Sequence, residues 1–212
     1  MTPTKTYYEK LAAETVKNLK LRQMEAHYRA TAEDAVALAL SMVAPDSTVS
    51  FGGSMTLTEA GMIKALQNRE DITLLDRGKA RSEEEVANIY HKALNADYYF
   101  MSSNAITSSG ELVNTDGTGN RLASLIYGPS NVIILAGMNK VVPTVEAALL
   151  RVKNTASPIN AIRLRRNTPC AATGLCCDCQ SPECICAQTV ITRRSNKADR
   201  IKVILIGEEL GY

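Results

Sequence analysis

Long apolar runs are missing from this 212-residue chain. The most continuous ones, such as VIILAG at 132–137, fall far short of the roughly 20 residues that a membrane-spanning helix needs. The first thirty residues, opening MTPTKTYYEK, carry charge throughout and no apolar core, so they do not read as a secretory leader. Together these absences predict a cytoplasmic protein without a membrane span. Cysteine is missing everywhere except 170–186, where all six occur. In a reducing compartment such thiols read as metal ligands or redox groups rather than as a disulfide framework. Histidine is nearly missing too: His27 and His91 are the only two, and both sit in helical patterns, which makes them helix residues before catalytic ones.

What remains is ordinary for a globular protein. Apolar residues make up 45% and charged residues 22%, enough to bury one sizeable core, alone or as a homo-oligomer. The net charge of +2 is unevenly spread, because 151–212 hold ten Lys and Arg against five Asp and Glu. Arg163, Arg165 and Arg166 precede the cysteines, and Arg193, Arg194, Lys197 and Arg200 follow them. A basic surface attracts anions or nucleic acid. With almost no aromatic residues beside these arginines to stack on bases, nucleic acid is the weaker choice.

Apolar residues at helical spacing from Tyr8 to Leu19, and a second pattern behind a Thr31/Asp34 capping box running to Pro45, predict an N-terminal helical arm over 1–44. The texture then changes. TVSF, ITLL, YYFM, NVIILA and KVILI read as buried strands. Helical patterns at 56–67, 83–94, 119–127 and 144–152 separate them. This alternation predicts an α/β fold over 45–212: an open, Rossmann-like, mostly parallel sheet with helices on both faces and a cysteine-rich loop at 168–188.

In such a sheet, ligands bind beyond the carboxyl ends of the strands. After the first of these strands comes GGSMTLTEAG. Gly52 and Gly53 clear space at a sharp turn, and Ser54 and Thr56 offer hydroxyls beside a helix start, a setting suited to an anion. The loop from 102 to 125 contains NTDGTGNR, whose density of polar types exceeds what a surface turn requires. Asp116 is the candidate base or orienting carboxylate and Arg121 the candidate bidentate clamp. Gly117, Thr118, Gly119 and Asn120 complete the loop, and Lys140 after VIILAGMN adds a third cationic contact.

The blocks FGGSMTLTEAG, LVNTDGTGNR, YGPSNVIILAGMNKVV, TPCAATGLCCDCQSP and VILIGEELGY together resemble the LUD-domain family of lactate utilization proteins. The resemblance implies a fold like that of ribose-5-phosphate isomerase, glucosamine-6-phosphate deaminase and CoA transferases. It also implies a role beside iron–sulfur oxidoreductase subunits in bacterial lactate oxidation. Cys170, Cys176, Cys179 and Cys186 match the family's TPCxxTGxCxDCxSPxxxC pattern, whereas Cys177 and Cys184 are additional. Four thiolates around a CxxC centre suit zinc or an iron–sulfur cluster; a redox-active thiol pair and structurally idle cysteines are the alternatives.

Three functions are therefore expected. The first is a LUD-type protein binding a small anionic metabolite and assisting lactate or organic-acid oxidation. A stand-alone isomerase or CoA-transferase-like enzyme is the second, for which Glu59 and Glu111 are the only glutamates near the loops. The third is a metal-containing nucleic-acid-binding or scaffold protein.

Overall fold

A computed structural model of the protein describes residues 2–212. The chain runs through helix α1 (Pro3–Leu21), strand β1 (Glu25–Arg29), α2 (Ala32–Ser41), β2 (Thr48–Phe51), α3 (Met55–Glu59), α4 (Met62–Gln67), β3 (Thr73–Leu75), α5 (Glu83–Ala93), β4 (Tyr98–Met101), β5 (Ala105–Thr107) and β6 (Leu112–Asp116). It continues through α6 (Asn120–Ile126), β7 (Asn131–Gly137), β8 (Val141–Val142), α7 (Val145–Arg151), α8 (Ser157–Arg163), α9 (Pro169–Thr173), β9 (Gln188–Thr192) and β10 (Ile201–Ile206).

Among the described residues, six strands form a wholly parallel sheet in the order β1-β10-β7-β4-β2-β3. Its central strands are predominantly apolar because both faces are covered, and side chains alternate between them. Along β10, Val203 and Leu205 pack with Leu19, Met24 and Ile134 on the α1 side. Ile204 and Ile206 pack with Leu57, Met62, Leu66 and Phe100 on the other. A second, mixed sheet, β8-β5-β6-β9, stands beside the first, with Ala105 and Val113 buried against Ala148 and Val152.

The N-terminal region differs from the expected helical arm. Residues 25–29 form β1, an edge strand in register with β10 from Glu25↔Lys202 to Arg29↔Ile206, and His27 lies on it. Only Ala26 of EAHYR is buried, so this edge strand lacks the apolar signature that marks the inner ones. The helix expected over 56–67 is two helices, parted at Gly61 with φ +80, and the pattern at 144–152 continues through a π-helical turn (Val152–Ala156) into α8. The expected caps form: Thr31 Oγ1 accepts from Asp34 N at 3.2 Å, and Ser82 Oγ accepts from Glu85 N at 3.2 Å. No helix among the described residues is long and apolar enough to cross a membrane.

Candidate functional site

Parallel strands all present their carboxyl ends at one rim, and the loops leaving that rim converge. The turn after β2 brings Gly53 and Ser54, the turn after β3 brings Arg77, the segment after β4 brings Ser102 and Asn104, and a 3-10 turn after β7 brings Lys140. The end of β6 adds Asp116, Gly117 and Thr118, and α8 supplies the facing wall with Asn160 and Arg163. These residues line one cleft of about 270 Å³. Of the residues expected from sequence, Gly53, Ser54, Asp116, Gly117, Thr118, Asn120, Arg121 and Lys140 meet there. Gly52, Thr56 and Gly119 stand just behind the lining. A Cβ on Gly52 would come within 3.4 Å of Arg121 Cδ, and Gly119, with φ +89, turns the chain into α6.

Arg121 does not present the free fork expected of a substrate clamp. Its Nη1 donates to Asn114 Oδ1 at 2.6 Å and Ser102 O at 3.4 Å. Its Nη2 donates to Thr115 O at 2.6 Å and Asn104 Oδ1 at 3.0 Å, while Nε faces Asp116 Oδ2 at 3.5 Å. The guanidinium thus ties the β4 exit to the end of β6. Burial lowers its proton affinity and Asp116 partly restores it. Asp116 Oδ2 is itself buried and accepts no hydrogen bond, so one face of this carboxylate depends on the adjacent Arg121 charge alone.

Lys140 is 3% exposed. Its Nζ donates to Thr56 Oγ1 at 2.6 Å and to Ser102 Oγ at 3.1 Å. Among the described residues no carboxylate pairs with it. Burial, and then the charges of Arg151 and Arg121, push its pKa down from 10.5 to about 7, with Glu59 acting in the opposite sense.

Several lining residues lay outside the sequence reading. Arg77 is the most telling, because a Cβ on Gly53 would stand only 2.0 Å from its Nη2: the absent side chain of Gly53 is the space that the guanidinium fills. Arg77 Nη1 donates to Tyr90 Oη at 2.5 Å. Its Nε and Nη2 have no hydrogen-bond partner among the described residues. Arg77, Ser102 and Asn104 all follow strands that were recognised, so the rim rule applied to every strand finds them. Arg163 and Arg166 also line the cleft, whereas Arg200, from the same basic stretch, donates to the carbonyls of Ser124, Leu125 and Pro129. Glu59 accepts from Gly211 N at 2.6 Å, and Glu111 pairs with Arg22; neither lines the cleft.

All six cysteines are free and line a second cavity of about 210 Å³. Cys170 Sγ lies 3.4 Å from Thr168 Oγ1, and Cys186 Sγ donates to Ser157 Oγ at 3.1 Å. Burial pushes the Cys186 thiol up. As they stand, no three His, Cys, Asp or Glu side chains among the described residues are grouped around a point that could hold one metal ion. The donor chemistry does fit a thiophilic centre, since six free thiols line a single cavity. Thr115 and Ile185 belong to both cavities, so the thiol loop forms part of the cleft wall.

A family model of the LUD domain matches residues 12–206. Among solved structures, a DUF162 family protein from Deinococcus radiodurans aligns at a TM-score of 0.53 and 12% identity, over 94% of this chain and 98% of that one, a likeness of fold. The delta subunit of eIF2B from Chaetomium thermophilum aligns at a TM-score of 0.36 and 19% identity, over 57% of this chain and 51% of that one. Comparison with curated proteins gives no match.

Proposed function

The chain belongs to the LUD-domain family of lactate-utilization-type proteins, and on that premise we propose that its cleft binds a small anionic metabolite. In this reading the protein assists oxidation of lactate or a related organic acid beside iron–sulfur oxidoreductase subunits. Charge is the observation that supports it. Arg77, Arg121, Arg163 and Arg166, joined by Lys140 in its protonated form, line one cleft, against the single carboxylate of Asp116 among the described residues. Concave walls focus such a field and favour a negative ligand. Arg77, whose Nε and Nη2 have no hydrogen-bond partner among the described residues, is the contact for the ligand's anionic group, while Arg121 positions Asp116 and the rim loops.

Thermal denaturation with lactate, pyruvate, sugar phosphates, CoA esters and nucleotides tests this. A ligand at 100 times its Kd stabilises by about 2.7 kcal/mol. One class should raise the midpoint of the wild type and leave Arg77→Gln unmoved. If none of these anions shifts the wild type, the reading is wrong.

The thiol loop is proposed to hold zinc or an iron–sulfur cluster through Cys170, Cys176, Cys179 and Cys186. Bound there, the centre would supply a cross-link that fixes the loop against the cleft, and thiolate binding would couple its retention to folding. Metal and sulfide analysis of protein purified without oxygen should find close to one centre per chain. It should be retained in Cys177→Ser and lost in Cys179→Ser; less than about a tenth of an equivalent in the wild type rejects the proposal.

A further inference from the structure

We propose that Lys140 is a carbonyl-reactive amine that forms a Schiff base with a 2-oxo acid held in the cleft. This rests on the anion-binding reading and deepens it, because the oxidation product of a 2-hydroxy acid is a 2-oxo acid.

The geometry around Nζ supports it. Thr56 Oγ1, which accepts from Lys140, donates its own proton to Leu210 O at 3.1 Å. Ser102 Oγ accepts from Lys140 as well and points its proton toward Ser103 O at 3.4 Å. Both hydroxyls therefore take N–H groups rather than give protons. A neutral amine has two N–H groups, so these acceptors use both. The lone pair is left in the remaining tetrahedral direction, which has no hydrogen-bond partner among the described residues. Lys140 lines the cleft.

The charges that face this amine are Arg151 from α7, Arg121 from α6 and Glu59 from α3. Arg151 is held in place by Asn104 O at 2.6 Å and Asn139 O at 3.1 Å. With burial they bring the pKa to about 7. Near that pH the neutral fraction is on the order of 10³-fold larger than for an amine of ordinary lysine pKa.

The step balances without an oxidant. The amine adds to the ketone carbon, forming a C–N bond as the C=O π pair moves to oxygen, which takes a proton. The carbinolamine then loses its hydroxyl with a second proton as water. Overall, ammonium and ketone become iminium and water.

Full-length protein incubated at neutral pH with pyruvate and sodium cyanoborohydride provides the test. Reduction of the iminium gives a secondary amine whose mass increment is the keto acid less one oxygen. A single increment is expected, mapped to the Lys140 peptide, absent with lactate and absent from Lys140→Met. If that variant does not fold, the peptide map of the wild type decides alone. Increments scattered over exposed lysines, or none at Lys140, overturn the proposal. Pyruvate that raises the thermal midpoint but leaves no adduct at Lys140 removes the Schiff base and leaves the anion site standing. Pyruvate that does neither overturns this proposal, and the fate of the anion site then depends on the other ligands.

Discussion

Replacing Lys140 with Met should stabilise the protein at and below neutral pH, and the gain should fade as the solution becomes alkaline. In the folded chain the amine titrates at about 7, against an ordinary 10.5. Between those values the unfolded chain binds more protons, so the lysine's contribution to wild-type stability rises with pH. Below about 7 the full cost of holding an ammonium in a dry site is present. At about 1.4 kcal/mol for each tenfold change in proton affinity, that cost is ~5 kcal/mol. Met fills similar space without charge but gives up the hydrogen bonds to Thr56 and Ser102, each worth about 1 kcal/mol net. The variant should therefore gain roughly 3 kcal/mol at about pH 6 and lose that advantage by about pH 10. Urea denaturation of both proteins across this range measures the difference, in which the titrations common to both cancel. Parallel stability curves, or a variant that gains on the wild type as pH rises, would refute the argument.

Arg121→Met should lower stability by about 3–5 kcal/mol, because it leaves the buried Asp116 Oδ2 without its neighbouring charge and removes four hydrogen bonds; chemical denaturation reads the loss. Gly53→Ala and Gly137→Ala separate binding from folding. At Gly53 the added carbon meets the flexible tip of Arg77 at 2.0 Å, so the fold should survive within about 1 kcal/mol while anion-induced stabilisation disappears in thermal scans. At Gly137 it meets Glu208 O at 2.6 Å and Leu210 N at 2.7 Å; backbone has to move, and the urea midpoint should fall by an amount equivalent to about 2 kcal/mol or more.

The central strands were legible because burial on both faces writes itself as apolar runs, as in VILI at 203–206. The rim was legible for the same reason, since a strand's end fixes where its loop emerges. β1 was not, because an edge strand needs only one buried side chain and EAHYR offers Ala26 alone. Arg121 was recognised as a site residue, but its orientation was hidden. Whether a guanidinium faces ligand or protein depends on where Asn104, Asn114 and Thr115 fold back, and those positions are set by pairing between β5 and β6. Lys140 showed in sequence as a charge after a strand. Its burial, which changes its chemistry, appears only once Thr56 and Ser102 close around it.

The strand order has a kinetic consequence. β10 lies between β1 and β7, so the ribosome completes the interior of the sheet last. Until residues 201–206 emerge, β1 lacks its ladder partner and β7 has one exposed flank. From the emergence of β7 until that of β10, the nascent chain therefore carries an unpartnered β1 and a β7 open on one flank, a form that invites mispairing between neighbouring chains and slows productive folding.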